Sequence, residues 1–126
     1  MRNNLVLDKS KAFALRIIKL YKFLTSTKNE YVLSKQLLRS GTSIGANLTE
    51  ATCGISKADF LAKAHIAFKE CAESKYWLEL LVESDHITRE QFESIYADCE
   101  ELLRLLSSIT KNDSRIPRQK EEFLIR

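Results

Sequence analysis

The chain has 126 residues, 44% hydrophobic and 29% charged, which is long enough for one domain with a hydrophobic core. One proline and three glycines are few, and this excludes most β-rich folds, which need turn residues roughly every 8–12 positions. The net charge of +3 is unevenly distributed, because residues 1–29 carry seven basic residues and one acidic residue, whereas residues 86–110 carry two basic and five acidic residues.

Two further features of composition bear on location. No apolar run is long enough for a signal peptide or approaches the roughly 20 residues of a membrane span, so we expect a cytoplasmic protein without membrane contact. The three cysteines, Cys53, Cys71 and Cys99, are widely spaced and odd in number. We interpret them as reduced core thiols, as is usual in that compartment.

The first predicted helix runs from about Asp8 to Leu24, with Asp8 or Ser10 as its cap. Its inner face is apolar and comprises Phe13, Ile17, Leu20 and Leu24. The opposite face carries five cations, here named the basic arc: Lys9, Lys11, Arg16, Lys19 and Lys22. The arc either contacts phosphate groups or is an ordinary solvated face.

The second predicted helix runs from about Glu30 to Cys53, with Gly54 as a natural C-terminal cap. Gly41 and Gly45 lie inside it, and each costs about 1 kcal/mol relative to alanine. This spacing suggests a close approach to a neighbouring helix, or a kink. Polar residues recur along one side at spacings of three and four, and we name them the polar stripe: Gln36, Ser40, Ser43, Asn47 and Glu50.

The third predicted helix begins at the cap Ser56 and runs to about Ser84. It has two partly apolar faces. The main one comprises Phe60, Ala64, Ala67, Cys71, Ser74 and Leu78, and the second comprises Ala62, Ile66, Glu70, Glu73, Trp77 and Leu80. A single four-helix bundle cannot cover both faces, which predicts a homo-oligomer.

The fourth predicted helix opens with a capping box formed by Thr88 and Gln91 and ends near Lys111–Asn112. Together the four helices predict an all-α fold, an antiparallel up-down-up-down four-helix bundle over residues 1–112. We expect residues 113–126 to form a C-terminal tail that is flexible or docks on a partner.

The polar stripe admits two interpretations. In the first it is a structural polar network, in which Arg39 pairs with Glu70 or Glu73, and Glu50 joins a second cation. Ser43 and Asn47 would then form hydrogen bonds across the bundle. In the second it lines a pocket for a small molecule or nucleotide. We favour the network.

Signals of catalysis are weak. Glu83 and His86 have the Glu-x-x-His spacing of di-metal bundles, but such sites need two of these motifs and two more inward glutamates. His65 and His86 lack cysteine partners for zinc. We therefore expect no catalytic residues, no metal and no cofactor.

The second and third helices carry motifs that resemble those of a known family. The chain has QLLRSGTSIGANLTEA, with Gly45 where many members have proline, followed by KECAESKYWL. These residues are similar to the four-helix-bundle proteins encoded in intervening sequences of bacterial large-subunit ribosomal RNA genes. The matching positions are Gln36, Leu37, Arg39, Ser40, Ser43, Ile44, Ala46, Asn47, Glu50, Ala51, Lys69, Glu70, Glu73, Tyr76, Trp77 and Leu78.

The resemblance covers roughly Ala12 to Thr110 and implies a homopentamer. It also implies kinship with the accessory proteins of diversity-generating retroelements, which are basic pentamers that bind nucleic acid and work with a reverse transcriptase. We therefore expect a non-enzymatic homo-oligomer that binds structured RNA such as ribosomal RNA, or DNA/RNA hybrids, through the basic arc. The alternative is a scaffold or accessory subunit that contacts a protein partner and no nucleic acid.

Overall fold

The computed structural model describes residues 2–111, with side chains from residue 5 onward. It contains four helices: α1 (Arg2–Ser26), α2 (Leu33–Ala51), α3 (Lys57–Glu83) and α4 (Arg89–Thr110). No strand occurs within this range, so the all-α prediction is confirmed. None of these helices combines the length and apolar character needed to cross a bilayer. The predicted tail lies outside the described residues.

Each helix packs against the next, and α4 returns to α1. Ion pairs between neighbouring helices show the relative direction in which their chains run. Along α1 and α4, Lys9 pairs with Glu101 and Arg16 with Asp98, so the two helices run in opposite directions. The same opposite order holds between α2 and α3, where Arg39 lies beside Glu70 and Glu50 beside Lys63. The helices therefore form the predicted antiparallel four-helix bundle.

Helix α1 begins at Arg2, six residues before the predicted start at Asp8. The cause is Val6, which is buried in the core seven residues before Phe13 and so extends the inner stripe by two turns. The predicted caps are wrong, because Asp8 and Ser10 both lie inside the helix. The Ser10 hydroxyl donates to the Leu7 carbonyl at 2.9 Å.

Helix α2 begins at Leu33, three residues after the predicted start, because Glu30 caps it from outside. Its carboxylate accepts the backbone N–H groups of Val32, Leu33 and Ser34 at 3.1, 2.9 and 2.7 Å. Partial burial opposes ionisation of Glu30, but these three donors outweigh it and lower its pKa. Asn29 precedes this cap with a φ of 54°, a left-handed conformation that asparagine tolerates.

Helix α2 ends at Ala51, and the predicted glycine cap is wrong. Gly54 has no positive φ. The chain leaves the helix through short-range bonds, such as that from the Gly54 N–H to the Ala51 carbonyl at 3.2 Å. A Cβ atom at Gly54 would lie 3.1 Å from the Cβ of Asp59. Glycine therefore serves close packing against the first turn of α3.

The predicted starts of α3 and α4 are confirmed. Ser56 accepts the N–H of Asp59 at 3.1 Å. Thr88 and Gln91 form both bonds of the capping box, at 2.9 and 3.1 Å. These caps are local in sequence, so the sequence alone identifies them.

The inner faces of the four helices form one continuous core. Its largest fully buried side chains include Phe13, Ile17, Leu24, Leu37, Ile44, Leu48, Leu78, Leu102 and Leu106. Helices α1 and α2 approach closely at the two glycines of α2. A Cβ atom at Gly41 would lie 2.9 Å from Ile17 Cγ1, and one at Gly45 would lie 3.2 Å from Ser10 Oγ. The glycines therefore permit the close approach suggested by their spacing.

Candidate functional site

Arg39 of the polar stripe region joins two carboxylates of α3 at the protein surface. Its guanidinium pairs with Glu73 and lies 3.4 Å from Glu70. Glu73 also accepts the indole N–H of Trp77 at 3.0 Å. The bond to Glu73 raises the pKa of Arg39, although its side chain is 52% exposed. This group, here named the Arg39 cluster, joins α2 to α3 on the outside of the bundle.

The other predicted network residues are arranged differently. The Ser43 hydroxyl donates to the Arg39 carbonyl at 2.7 Å, and the Asn47 amide donates to the Ser43 carbonyl at 2.8 Å. Both therefore bond within α2 and not across the bundle, because serine and asparagine side chains can donate to the carbonyl four residues back in their own helix. Glu50 lies 2.8 Å from Lys63 Nζ.

A buried polar pair lies beneath the Arg39 cluster, and the sequence interpretation missed it. Ser40 of α2 and Ser74 of α3 are fully buried, with 2.8 Å between their hydroxyl oxygens. Ser74 also bonds the Glu70 carbonyl at 2.9 Å. The signal was present, because Ser40 lies on the polar stripe and Ser74 is the one serine on the main apolar face of the third helix. Its counterpart on the facing helix became evident only from the packing.

The basic arc is divided between two surfaces. Lys9 pairs with Glu101 at 3.1 Å, and Arg16 pairs with Asp98 at 2.6 Å. Arg16 also donates to the Ser94 hydroxyl at 2.8 Å. These two cations face the acidic helix α4, which neutralises much of their charge. Such exposed pairs contribute about 0–1 kcal/mol to stability.

The remaining three cations of the arc lie on the exposed side of α1, and Lys19 also lies beside the start of α4. Lys11, Lys19 and Lys22 are exposed and form no ion pair with any residue that the structure describes. Leu15 lies among them and is 55% exposed. We name Lys11, Lys19 and Lys22 the outward lysines. They form a cationic strip along α1.

An open groove of about 540 Å³ separates the C-terminal half of α1 from the start of α4. Its floor is apolar and is formed by Leu20, Phe23 and Ile95. Arg16 and Lys19 form one wall, and Glu90 forms part of the other. The α1–α4 groove therefore has an apolar base between walls of opposite charge.

The second face of α3 remains partly uncovered in the single chain. Ile66 is 41% exposed and Tyr76 is 53% exposed. The rings of Tyr76 and Trp77 lie 5.3 Å apart. This apolar surface borders the Arg39 cluster, so aromatic, aliphatic and charged groups are exposed together on one side of the bundle.

The thiols divide into a buried pair and one exposed residue. Cys71 and Cys99 are buried with 3.9 Å between their sulfur atoms. Their hydrogen bond, and then burial, raises the pKa of Cys99, so its thiol remains protonated and is a poor nucleophile. Cys53 is exposed in the turn after α2 and is no core thiol, contrary to the prediction, because α2 ends before it.

The predicted weak metal motif has a local explanation. His86 Nδ1 lies 2.8 Å from the Ser84 hydroxyl within the α3–α4 connection. Within residues 2–111, no three histidine, cysteine, aspartate or glutamate side chains converge in a way that could hold a metal ion.

Comparison with known proteins relates this geometry to a family. No curated protein matches the chain. A crystal structure of a protein with unknown function from the S23 ribosomal protein family of Bacteroides thetaiotaomicron is 56% identical, with a TM-score of 0.86. The match covers 89% of this chain and 100% of that one. The family model described as 23S rRNA-intervening sequence protein matches residues 2–108. The chain therefore belongs to the family of 23S rRNA-intervening sequence proteins.

Proposed function

We propose that the chain forms a cytoplasmic, non-enzymatic homo-oligomer that binds nucleic acid through the outward lysines of α1. The observation that carries this proposal is the strip formed by Lys11, Lys19 and Lys22, exposed and without an acidic partner in the described chain. Ammonium groups so placed can neutralise phosphates, as non-specific nucleic-acid binding requires. The ligand class is structured RNA such as ribosomal RNA, or a DNA/RNA hybrid.

Self-association is supported by the uncovered face of α3. Ile66 and Tyr76 present apolar area that a second subunit would remove from water. The neighbouring Arg39 cluster supplies charged groups that would fix the orientation of that subunit. A ring of five subunits is the assembly implied by the resemblance of the sequence.

Oligomerisation would increase the affinity of the weak cationic strip for nucleic acid. Three lysines of a single chain can contact only a few phosphates, and each contact is weak in physiological salt. A ring repeats the strip on every subunit, so one nucleic acid could engage several strips at once. The strip of outward lysines contains no side chain pattern suited to recognising particular bases. Binding should therefore depend on charge and shape more than on base sequence.

A second candidate function is a protein-interaction scaffold without nucleic-acid contact. It is favoured by the exposed Tyr76 and Ile66, because large apolar residues on a surface also suit a protein partner. In that case the outward lysines would be an ordinary solvated face.

Retention on heparin and immobilised RNA columns separates the two candidates. We expect wild-type protein to bind at low salt, and the variant Lys11→Glu/Lys19→Glu/Lys22→Glu to flow through. The matched control Lys35→Glu/Lys57→Glu/Arg104→Glu changes net charge equally at exposed positions elsewhere, and it should be retained better than the first variant. Equal loss in both variants would show only a net-charge effect and would refute the proposed surface.

A further inference from the structure

The α1–α4 groove exposes part of an apolar surface between two helices. Ile95 on its floor is buried, whereas Leu20 and Phe23 are only partly covered. Apolar area of this kind is stabilised when another apolar group removes it from water, by about 25 cal/mol per Å². The groove therefore suits an occupant with a few large apolar side chains.

The walls of the groove restrict the occupant further. Lys19 on one wall forms no ion pair within the described chain, and Glu90 on the other wall forms none either. A ligand that satisfies both walls must carry charges of both signs beside its apolar centre. A nucleic acid carries only negative charge and would meet Glu90 unfavourably. A peptide segment of mixed charge fits both requirements.

We propose that the groove binds the C-terminal segment of the same chain, residues 120–126. This segment reads KEEFLIR, so Phe123, Leu124 and Ile125 form an apolar centre. Glu121 and Glu122 precede that centre and match the cationic wall on α1, whereas Arg126 follows it and matches Glu90.

The connecting chain is long enough for this contact. Helix α4 ends at Thr110, and Ile95 lies fifteen residues earlier on the same helix. At about 1.5 Å per residue, the groove is roughly 22 Å back along α4. Phe123 lies twelve positions after Lys111, and an extended chain of that length spans up to about 40 Å. The connecting chain is therefore long enough to reach the groove.

The test is disulfide trapping in the full chain, with Cys53→Ser to remove the exposed native thiol. Ser94→Cys places a thiol at the groove, and Glu93→Cys places one on the preceding residue, which is also exposed but lies on another side of α4. Each is combined with Leu124→Cys and oxidised with oxidised glutathione. We expect the Ser94→Cys pair to form an intrachain disulfide at least tenfold faster than the Glu93→Cys pair.

Two results would overturn the proposal. One is an equal rate for both pairs. The other is a disulfide between chains, detected by mass spectrometry of a mixed ¹⁴N/¹⁵N sample, which would make a second copy the occupant. Hydrogen exchange gives an independent test without new thiols. Replacing Phe123, Leu124 and Ile125 by serine should accelerate exchange in residues 16–23, and Ile116→Ser should not; unchanged exchange would also overturn the proposal.

Discussion

The two glycines of α2 should respond in opposite ways to the same substitution. At Gly41, an added methyl group would lie 2.9, 3.0 and 3.3 Å from the Cγ1, Cγ2 and Cβ atoms of Ile17. Ile17 is fully buried, and its Cβ atom cannot move away by a change of rotamer. Helices α1 and α2 must therefore separate locally. Overpacking of this kind costs about 1–3 kcal/mol, and the alanine regains about 1 kcal/mol of helix propensity.

At Gly45 the balance is reversed. The added methyl group would meet only the Ser10 hydroxyl at 3.2 Å, and the next atom is 3.7 Å away. A hydroxyl that bonds within its own helix can shift by a few tenths of an ångström at small cost. The gain in helix propensity should then prevail and stabilise the protein by about 0.5 kcal/mol.

The assay is thermal unfolding followed by circular dichroism at one fixed protein concentration, because self-association makes the midpoint depend on concentration. A change of 1 kcal/mol shifts the midpoint by about 4 °C in a domain of this size. The net cost at Gly41 is about 0–2 kcal/mol, so we expect Gly41→Ala to lower the midpoint by up to about 8 °C. We expect Gly45→Ala to raise it by about 2 °C. A stabilising Gly41→Ala would refute the close helix approach at Ile17.

Three further predictions concern the polar groups that join or begin helices. Ser40→Ala and Ser74→Ala should each cost about 1–2 kcal/mol in urea unfolding. The double variant should cost about 1 kcal/mol less than their sum, because both single variants lose the same hydroxyl–hydroxyl bond. Glu30→Gln should cost about 1 kcal/mol at pH 7. The folded pKa of Glu30 lies below its ordinary 4.5, so its contribution is present above that pH and lost as pH falls through the lowered value. Arg39→Ala should reduce the oligomer mass in light scattering and lower the melting midpoint through lost association, because its exposed pairs within the chain contribute little by themselves.

A specific result would contradict each of these three predictions. Additive costs for the two serines would show that their hydroxyls do not interact in solution. A Glu30→Gln effect that persists below about pH 3 would mean that charge has no part in the cap. For Arg39, the control variant Arg39→Lys preserves the positive charge. An unchanged oligomer mass in the alanine variant would show that the Arg39 cluster is not part of the interface between subunits.

The sequence was most informative where structure is local or periodic. The inner faces of the first and third helices and the caps at Ser56 and Thr88 followed from spacing alone. The start of α2 was missed because Glu30 caps from three residues outside the helix, where a short side chain such as serine is the usual signal. The start of α1 was missed because Asp8 and Ser10 resemble caps, and the burial of Val6 outweighs that preference.

The candidate site was harder to predict, because its contacts depend on neighbouring helices. The sequence placed five cations on one arc, but only the packing of α4 shows that Lys9 and Arg16 face Glu101 and Asp98. In the same way, Ser43 and Asn47 lie on the predicted stripe, yet each bonds within its own helix. The helical period predicts which residues share a face of a helix. It does not predict which residues of the neighbouring helices contact that face.

The most direct test of the proposed nucleic-acid surface is the salt dependence of binding to a fluorescent structured RNA, measured by anisotropy. Each neutralised phosphate contributes about 0.7–0.9 to the slope of log K against log salt. We predict that Lys11→Glu/Lys19→Glu/Lys22→Glu makes the slope at least about 2 units less negative, whereas Lys35→Glu/Lys57→Glu/Arg104→Glu preserves it within about 1 unit. Wild-type protein that does not bind at low salt, or a slope unchanged by loss of the outward lysines, would contradict the account.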